Sequence, residues 1–164
     1  MSRECALIEV RLVKADEFAE LKELRLSALA YSDHLVDHLR SESAAPSSFW
    51  RRRAERGAAA MTMATFVAAG RSGLAGIVDG FLSEDGGTVE IGGMWVSPSL
   101  RRLGIGRSLV RAVSDWARER GAERAQLWVR AANDPARRLY EREGFELATS
   151  DETGESGLRL ERRL

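Results

Sequence analysis

The segment from Arg101 to Gly106 has the composition of a phosphate-binding loop. It follows an apolar segment that ends in Trp95-Val-Ser-Pro98, and it precedes a pattern typical of an amphipathic helix. A helix N-terminus presents unpaired backbone N–H groups and a partial positive charge, which together attract phosphate. Gly104 and Gly106 allow the backbone to approach an anion closely. Two glycines before a surface helix can also form a simple tight turn.

Two common phosphate motifs do not fit this loop. A dinucleotide-binding fingerprint requires a third glycine where Leu109 stands. A P-loop requires a lysine before its serine or threonine, whereas this chain has Arg107-Ser108 at shorter spacing.

A second candidate segment extends from Asn133 to Phe145. Asn133-Asp-Pro135 is a good helix start, because asparagine and aspartate cap helices and proline is tolerated in the first turn. Tyr140 lies seven residues later, close to two helical turns, so both side chains can face one cleft. A phenol with a pKa near 10 stays protonated at neutral pH and can donate a proton. The alternatives are that Asn133 is only a cap and that Tyr140 packs in the core.

Together, these segments resemble the GCN5-related N-acetyltransferase (GNAT) superfamily. That family carries Arg/Gln-x-x-Gly-x-Gly/Ala between a strand and a helix, as in Arg101 to Gly106 here. Its second signature is an asparagine followed by a helix that ends near Leu-Tyr-x-x-x-Gly-Phe, matched by Asn133 and by Leu139 to Phe145. The detailed match runs from about Val89 to Phe145, and residues after about Leu147 match weakly.

The resemblance implies an acyltransferase that uses acetyl-CoA as co-substrate and needs no metal. In the family, N–H groups of the glycine loop hold the CoA pyrophosphate, and the strand before it holds the pantetheine arm. The implied cofactor-binding residues are Met94, Trp95, Val96, Arg101, Arg102, Leu103, Gly104, Ile105, Gly106, Arg107 and Asn133. The N–H of Val96 or Met94 would polarise the thioester carbonyl, as oriented donors do for an oxyanion.

The resemblance also implies the catalytic residues. Tyr140 would protonate the CoA thiolate as it leaves. Glu90 would deprotonate the ammonium group of the acceptor, whose pKa is near 10, because a glutamate matches this position in the histone-acetylating branch of the family. Glu90 could instead be a surface residue of an alternating strand, and Asp79 and Glu84 are weaker candidates for the base.

Elements in the order strand, helices, several strands, helix, strand, helix and strands would position these residues. The patterns predict strands at 8–13, 62–69, 74–82, 88–96, 125–129 and 155–164, with a short one from Phe145, and helices at 16–31, 46–56, 104–120 and from 133 onwards. Asp16 would cap the first helix, Gly57 would end the second, and 32–48 would be a loop that could contain a short helix. Gly92-Gly93 would allow a bulge, and the four tryptophans would be mostly core.

The predicted fold class is α/β (α+β). It has a mixed, mostly antiparallel central sheet that is splayed at the bulged strand and flanked by helices, as the resemblance implies. We expect residues 1–164 to form a single N-acetyltransferase domain.

Composition limits the partners. The chain has 25 basic and 25 acidic residues, so nucleic-acid binding is not expected. No apolar segment approaches the roughly 20 residues of a membrane span, and no signal peptide is visible. The single cysteine, Cys5, and the missing export signal favour a cytoplasmic setting. His34 and His38 lack a third metal ligand nearby.

We therefore expect direct transfer of an acetyl group to a primary amine of a small molecule or peptide in a ternary complex. Family members are often dimers, so a homodimer is expected as well. The alternative is a non-catalytic acyl-CoA-binding sensor or regulatory module. The identity of the amine is not readable from any motif.

Overall fold

A computed structural model describes residues 7–148 and 157–164 of the chain. The strands are β1 (Glu9–Leu12), β2 (Met63–Gly70), β3 (Gly73–Leu82), β4 (Thr88–Val96), β5 (Arg124–Arg130), β6 (Glu146–Leu147) and β7 (Gly157–Arg163). The helices are α1 (Phe18–Ala30), α2 (Val36–Ser43), α3 (Ser47–Ala59), α4 (Ile105–Glu119) and α5 (Asp134–Arg142).

The described strands form a seven-stranded sheet in the order β1-β2-β3-β4-β5-β7-β6. Each neighbouring pair is antiparallel except β4 and β5, which are parallel because α4 carries the chain back between them. The predicted mixed, mostly antiparallel sheet with flanking helices is therefore confirmed.

The sheet opens between its two parallel strands. Only the first half of β4, Thr88–Ile91, pairs with β5, at residues 124–127. Beyond this point β5 continues to Arg130 while paired with β7 alone. The second half of β4 pairs only with β3, and the register there shifts between Ile77 and Asp79. This shift is the expected bulge, and it lies where β4 and β5 separate.

Helices cover the two faces of the sheet unequally. On one face α4 and α5 pack over the middle strands, and the buried core there includes Val78, Ile91, Leu109, Val113 and Leu127. On the other face α1 and α3 cover β2 and β3 around a smaller cluster that includes Leu21, Leu24, Ala54, Val67 and Ile77. Beyond β3 this second face is more open.

Two glycines of β3 bring α4 unusually close to the sheet. A Cβ added at Gly80 would lie 2.4 Å from Val113 Cγ2 and 3.0 Å from Trp116 Cζ3. One added at Gly76 would lie 3.2 Å from Leu109 Cδ1. A side chain at Gly80 would force Val113 or the helix that follows the phosphate loop to shift, and one at Gly76 would press on Leu109 of the same helix.

Several local predictions were wrong because tertiary contacts outweigh local signals. Helix α3 continues through Gly57 to Ala59, since this glycine lets the helix approach Thr65, whose Oγ1 would lie 2.5 Å from an added Cβ. Glu17 rather than Asp16 precedes α1, without a side-chain cap.

Helix α2 lies in the region 32–48, where the sequence allowed a short helix within a loop. Trp128 was expected in the core but is 50% exposed, on the more open face of the sheet.

Cys5 and the first two residues of the predicted strand 155–164 lie outside the described residues. Within the described ranges, no helix has the length and apolar composition needed to cross a membrane.

Candidate functional site

The glycine loop has the conformation that its composition predicts. After a 3-10 turn at Pro98–Leu100, the backbone adopts positive φ at Arg102 (63°) and at Gly104 (80°). Gly104 immediately precedes α4, and its carbonyl accepts the first hydrogen bond of that helix from the Ser108 N–H, at 3.0 Å. A left-handed conformation costs glycine little, whereas residues with a Cβ are strained there.

This loop presents a series of unused hydrogen-bond donors. Among the described residues, no acceptor receives a hydrogen bond from the backbone N–H groups of residues 102–107. No side chain caps α4, and its first turn contains no acidic residue. Free donors at the positive end of a helix dipole suit the pyrophosphate of CoA, so the predicted loop residues fit that group.

The Arg101 side chain is held by contacts with the end of β4 and with Tyr31. Its Nε donates to the Val96 carbonyl at 2.9 Å, and its Nη1 donates to the Tyr31 hydroxyl at 3.1 Å. The guanidinium carbon also lies 4.5 Å from the centre of the Tyr31 ring, which meets Trp95 edge-on at 6.4 Å. Arg101 therefore connects the loop to the end of β4 and to α1.

The Arg107 side chain is likewise held by another residue of the chain, Glu143. Its Nε donates to Glu143 Oε1 at 2.6 Å, and Arg111 Nε donates to Oε2 at 2.9 Å. Glu143 is buried, with its side chain only 4% exposed. Burial alone would raise the pKa of this carboxyl, but the two arginine hydrogen bonds outweigh it and hold the pKa below 4.5. Arg102 is exposed, with no described partner.

The bulge of β4 leaves two residues outside the ladder. Gly93 and Met94 have no partner in register on β3 or on β5, whereas Trp95 and Val96 pair with Ile77 and Gly76. Gly93 has a φ of 62°, and an added Cβ would lie 3.1 Å from Asp79 Oδ2. The bulge thus requires glycine both for its backbone conformation and for space.

Asn133 and Tyr140 occupy the two ends of α5. Asn133 is exposed, and its Oδ1 accepts a 3.3 Å hydrogen bond from the Ala136 N–H, so it caps the helix. Tyr140 is 6% exposed in the core beneath α4, with Phe145 edge-on at 5.8 Å. Among the described residues its hydroxyl has no hydrogen-bond partner. Burial raises the pKa of Tyr140 to about 12.

Glu90 lies on the open face of the sheet. It pairs with Phe81 of β3 and with Gln126 of β5, and side chains in register share a face. Phe81 is 41% exposed, and Trp128 lies two residues beyond Gln126 on the same face. Glu90 itself is exposed and has no ion-pair partner among the described residues. This surface can therefore admit a second substrate next to a carboxylate.

Within the described ranges, no three His, Cys, Asp or Glu side chains cluster as metal ligands would. His34 lies in a 3-10 turn and His38 in α2, and both are exposed.

Comparison with known proteins identifies the family and the fold. Residues 23–145 match the family model described as acetyltransferase (GNAT) family, and this range includes the loop, the bulge and Tyr140. The chain belongs to the GNAT family. The expected family is thereby confirmed.

Two sequence relatives match part of this GNAT chain. Streptothricin acetyltransferase of Streptomyces lavendulae is 44% identical over 82 residues, which cover 49% of this chain and 43% of that protein. Mycothiol acetyltransferase of Clavibacter sepedonicus is 38% identical over 71 residues, which cover 43% of this chain and 23% of that protein. The matches thus span less than half the length of these relatives.

A solved structure shares the whole GNAT fold. PaiA N-acetyltransferase from Thermoplasma acidophilum, in complex with coenzyme A, superposes with a TM-score of 0.81 at 17% identity and full coverage of both chains. At 17% identity, this likeness shows that the two chains share a fold and carries no conclusion about activity.

The sequence analysis missed an ionic cluster beside the bulge of this GNAT chain. Arg25 of α1 donates two hydrogen bonds of 3.1 Å to Glu42 of α2. Arg53 of α3 lies 3.8 Å from Glu42, and its Nη2 donates to Asp79 of β3 at 2.9 Å. Thr65 completes the cluster by donating its hydroxyl hydrogen to Asp79 at 2.6 Å.

Glu42 connects this cluster to a helix that is otherwise largely exposed. Helix α2 has no buried residue, but the side chain of Glu42 is only 14% exposed. Asp79 is neutralised within the cluster and faces away from solvent, which makes it a poor candidate for a base. Its position in an apolar strand, Gly-Ile-Val-Asp-Gly80, was the one available sequence signal of a buried partner.

Proposed function

We propose that this protein is an acetyl-CoA-dependent N-acetyltransferase whose acceptor is a primary amine of a small molecule or peptide. The observation that carries the proposal is the array of free N–H groups at residues 102–107, set beside a sheet that opens at a bulged strand. Family membership and the CoA-bound structure with the same fold support it.

In this proposal the chain holds acetyl-CoA chiefly through its backbone. The N–H groups of residues 102–107 bind the pyrophosphate, and the second half of β4 offers its free edge to the pantetheine arm. The Asn133 amide, which keeps two N–H donors besides its capping oxygen, binds the same arm. Met94 is the first choice to orient the thioester carbonyl, because it lies in the unpaired bulge.

Acetyl-CoA supplies the acetyl group as a thioester. The amine must be neutral to form its bond to the acetyl carbon, and its excess proton leaves through Glu90, directly or by way of water. Glu90 suits this role because it is exposed on the open face and carries no ion-pair partner among the described residues.

Tyr140 would meet the sulfur as the C–S bond breaks. Its raised pKa of about 12 keeps the phenol protonated throughout the physiological range. Transfer to a thiolate, whose pKa is near 8.5, is uphill by about three to four pKa units. Tyr140 therefore acts mainly by donating a hydrogen bond while negative charge builds on sulfur.

The first experiment measures release of free CoA from acetyl-CoA with a panel of chemically diverse amines. At least one amine should accelerate the release of CoA and be converted to its acetamide, with one acetamide formed for each CoA released. If no amine in the panel promotes release and CoA still binds tightly, the protein is instead the acyl-CoA sensor.

Tyr140→Phe should lower kcat with the best acceptor by about 100-fold, because it removes the hydrogen bond to the departing sulfur and keeps the ring. The dissociation constant for CoA should stay the same when measured by calorimetry. An unchanged kcat would remove Tyr140 from the mechanism.

Glu90→Gln should lower kcat/KM most near neutral pH and least above the pKa of the acceptor amine, where the amine is already neutral. A uniform loss at every pH would assign Glu90 to acceptor binding rather than to proton removal.

A further inference from the structure

A cavity of about 300 Å³ opens on the acceptor face, between α3 and the ends of β2 and β3. It is lined by Phe49, Arg52, Arg53, Arg56, Met63 and Phe81. Its walls thus combine apolar side chains with three guanidinium groups, and no acidic residue lines it.

Two of the three arginines are uncompensated. Arg53 is neutralised by Asp79, but Arg52 and Arg56 have no hydrogen-bond or ion-pair partner among the described residues. They are four residues apart on α3, where like charges destabilise a helix slightly. Such a pair at a cavity wall can bind an anionic group of a ligand.

The cavity lies close to Glu90 and to the bulge of β4, where the proposed acetyl transfer takes place. Phe81, in its wall, pairs with Glu90, while Asp79 pairs with Gly92 at the edge of the bulge. These levels are two residues apart, or about 7 Å along the strands. Arg53 spans the interval, because it lines the cavity and also bonds to the Asp79 oxygen that faces Gly93.

Building on the proposed function, we propose that Arg52 and Arg56 bind a carboxylate of the acceptor. The acceptor is then an amine that also carries a carboxylate, with an apolar segment between the two groups. Its ammonium end lies beside Glu90, its apolar atoms contact Phe81 and Phe49, and its carboxylate meets the planar guanidinium groups.

The test uses one tripeptide, Gly-Phe-Ala, as the free acid and as the C-terminal amide, which differ only in the carboxylate. The native protein should acetylate the acid with a kcat/KM at least about tenfold higher. In the double variant Arg52→Gln/Arg56→Gln the ratio should fall to about one, through a higher KM for the acid. Both arginines are exposed, so the fold should tolerate the change.

Arg71→Gln is the matched control, because Arg71 is an exposed arginine in the turn between β2 and β3. It should keep the native preference. Equal use of acid and amide by the native protein would overturn the carboxylate site, as would a preference that survives the double variant. If other amines are acetylated but neither peptide is, the site is wrong and the proposed function stands. If no amine promotes CoA release, both fall together.

Discussion

The two sides of the proposed active site are built on different physical principles. The cofactor side, residues 88–142, exposes main-chain groups: the free N–H groups of 102–107 and the unpaired bulge of β4. The acceptor side, residues 18–59, depends on side-chain charges, with Glu42 joining three helices through Arg25 and Arg53. The cofactor side needs glycines at fixed positions, whereas the acceptor side needs matched charges at scattered ones.

This contrast explains how each side can vary. A backbone site tolerates most side chains but few changes of conformation, so its sequence pattern is compact and recognisable. A charge cluster tolerates many backbones but loses its geometry when one partner is removed. We therefore expect changes on the cofactor side to alter CoA affinity and changes on the acceptor side to alter acceptor KM.

Of the changes that test this contrast, Gly104→Ala should produce the largest effect. A Cβ at a φ of 80° costs about 1–2 kcal/mol, which the loop can avoid only by changing conformation and misaligning its N–H groups. CoA affinity, measured by calorimetry, should fall by about tenfold or more.

Gly86→Ala is its control, because Gly86 has a φ of 73° in the turn between β3 and β4 and, like Gly104, no heavy atom within 4 Å of an added Cβ. It should lose similar stability and keep its CoA affinity. If both variants bind CoA equally well, the backbone description of the cofactor side is wrong.

Glu42→Gln should have an intermediate effect on the other side. It leaves Arg25 and Arg53 without their shared carboxylate and loosens α2, so the acceptor KM should rise about fivefold while CoA affinity stays constant. Asp37→Asn serves for comparison, since Asp37 is on the same helix and its pair with Arg40 is largely exposed. A higher KM in both variants would show that α2 responds to any loss of charge.

One part of the cofactor side depends on a side-chain charge rather than on main-chain groups. There the buried carboxylate of Glu143 joins α4 to the end of α5. Its pKa is lowered in the folded state, so the unfolded state binds more protons in acid. The stability that it contributes is present above about pH 4.5 and is lost as the pH falls through the lowered pKa. Glu143→Gln should unfold more easily than the native protein at pH 7, by about 1–2 kcal/mol, and the gap should narrow in acid.

Urea titrations at pH 7 and pH 3.5 measure this gap, with Asp115→Asn as the control for a largely exposed pair. A gap that is the same at both pH values would mean that Glu143 contributes by packing rather than by charge.

How much could be predicted from sequence follows the same division. Strand β4 was predicted at 88–96, with its bulge at Gly92-Gly93, because alternation and glycine are local signals. Gly57 was misread as a helix end, since its contact with Thr65 depends on residues far apart in sequence. The charge cluster joins Arg25, Glu42, Arg53 and Asp79 from four elements, and no local pattern connects them.

The approach of α4 to the sheet at Gly76 and Gly80 gives the site a fixed length scale. Because α4 packs directly against these two glycines through Leu109 and Val113, we expect the separation between the phosphate loop and the bulge to change little. In the proposed site, we expect a thioester whose arm is one bond longer or shorter to bind through its diphosphate but to place its carbonyl away from the bulge. Such a thioester should be a poorer acyl donor than acetyl-CoA, because the packing of α4 on β3 keeps the loop and the bulge at one spacing.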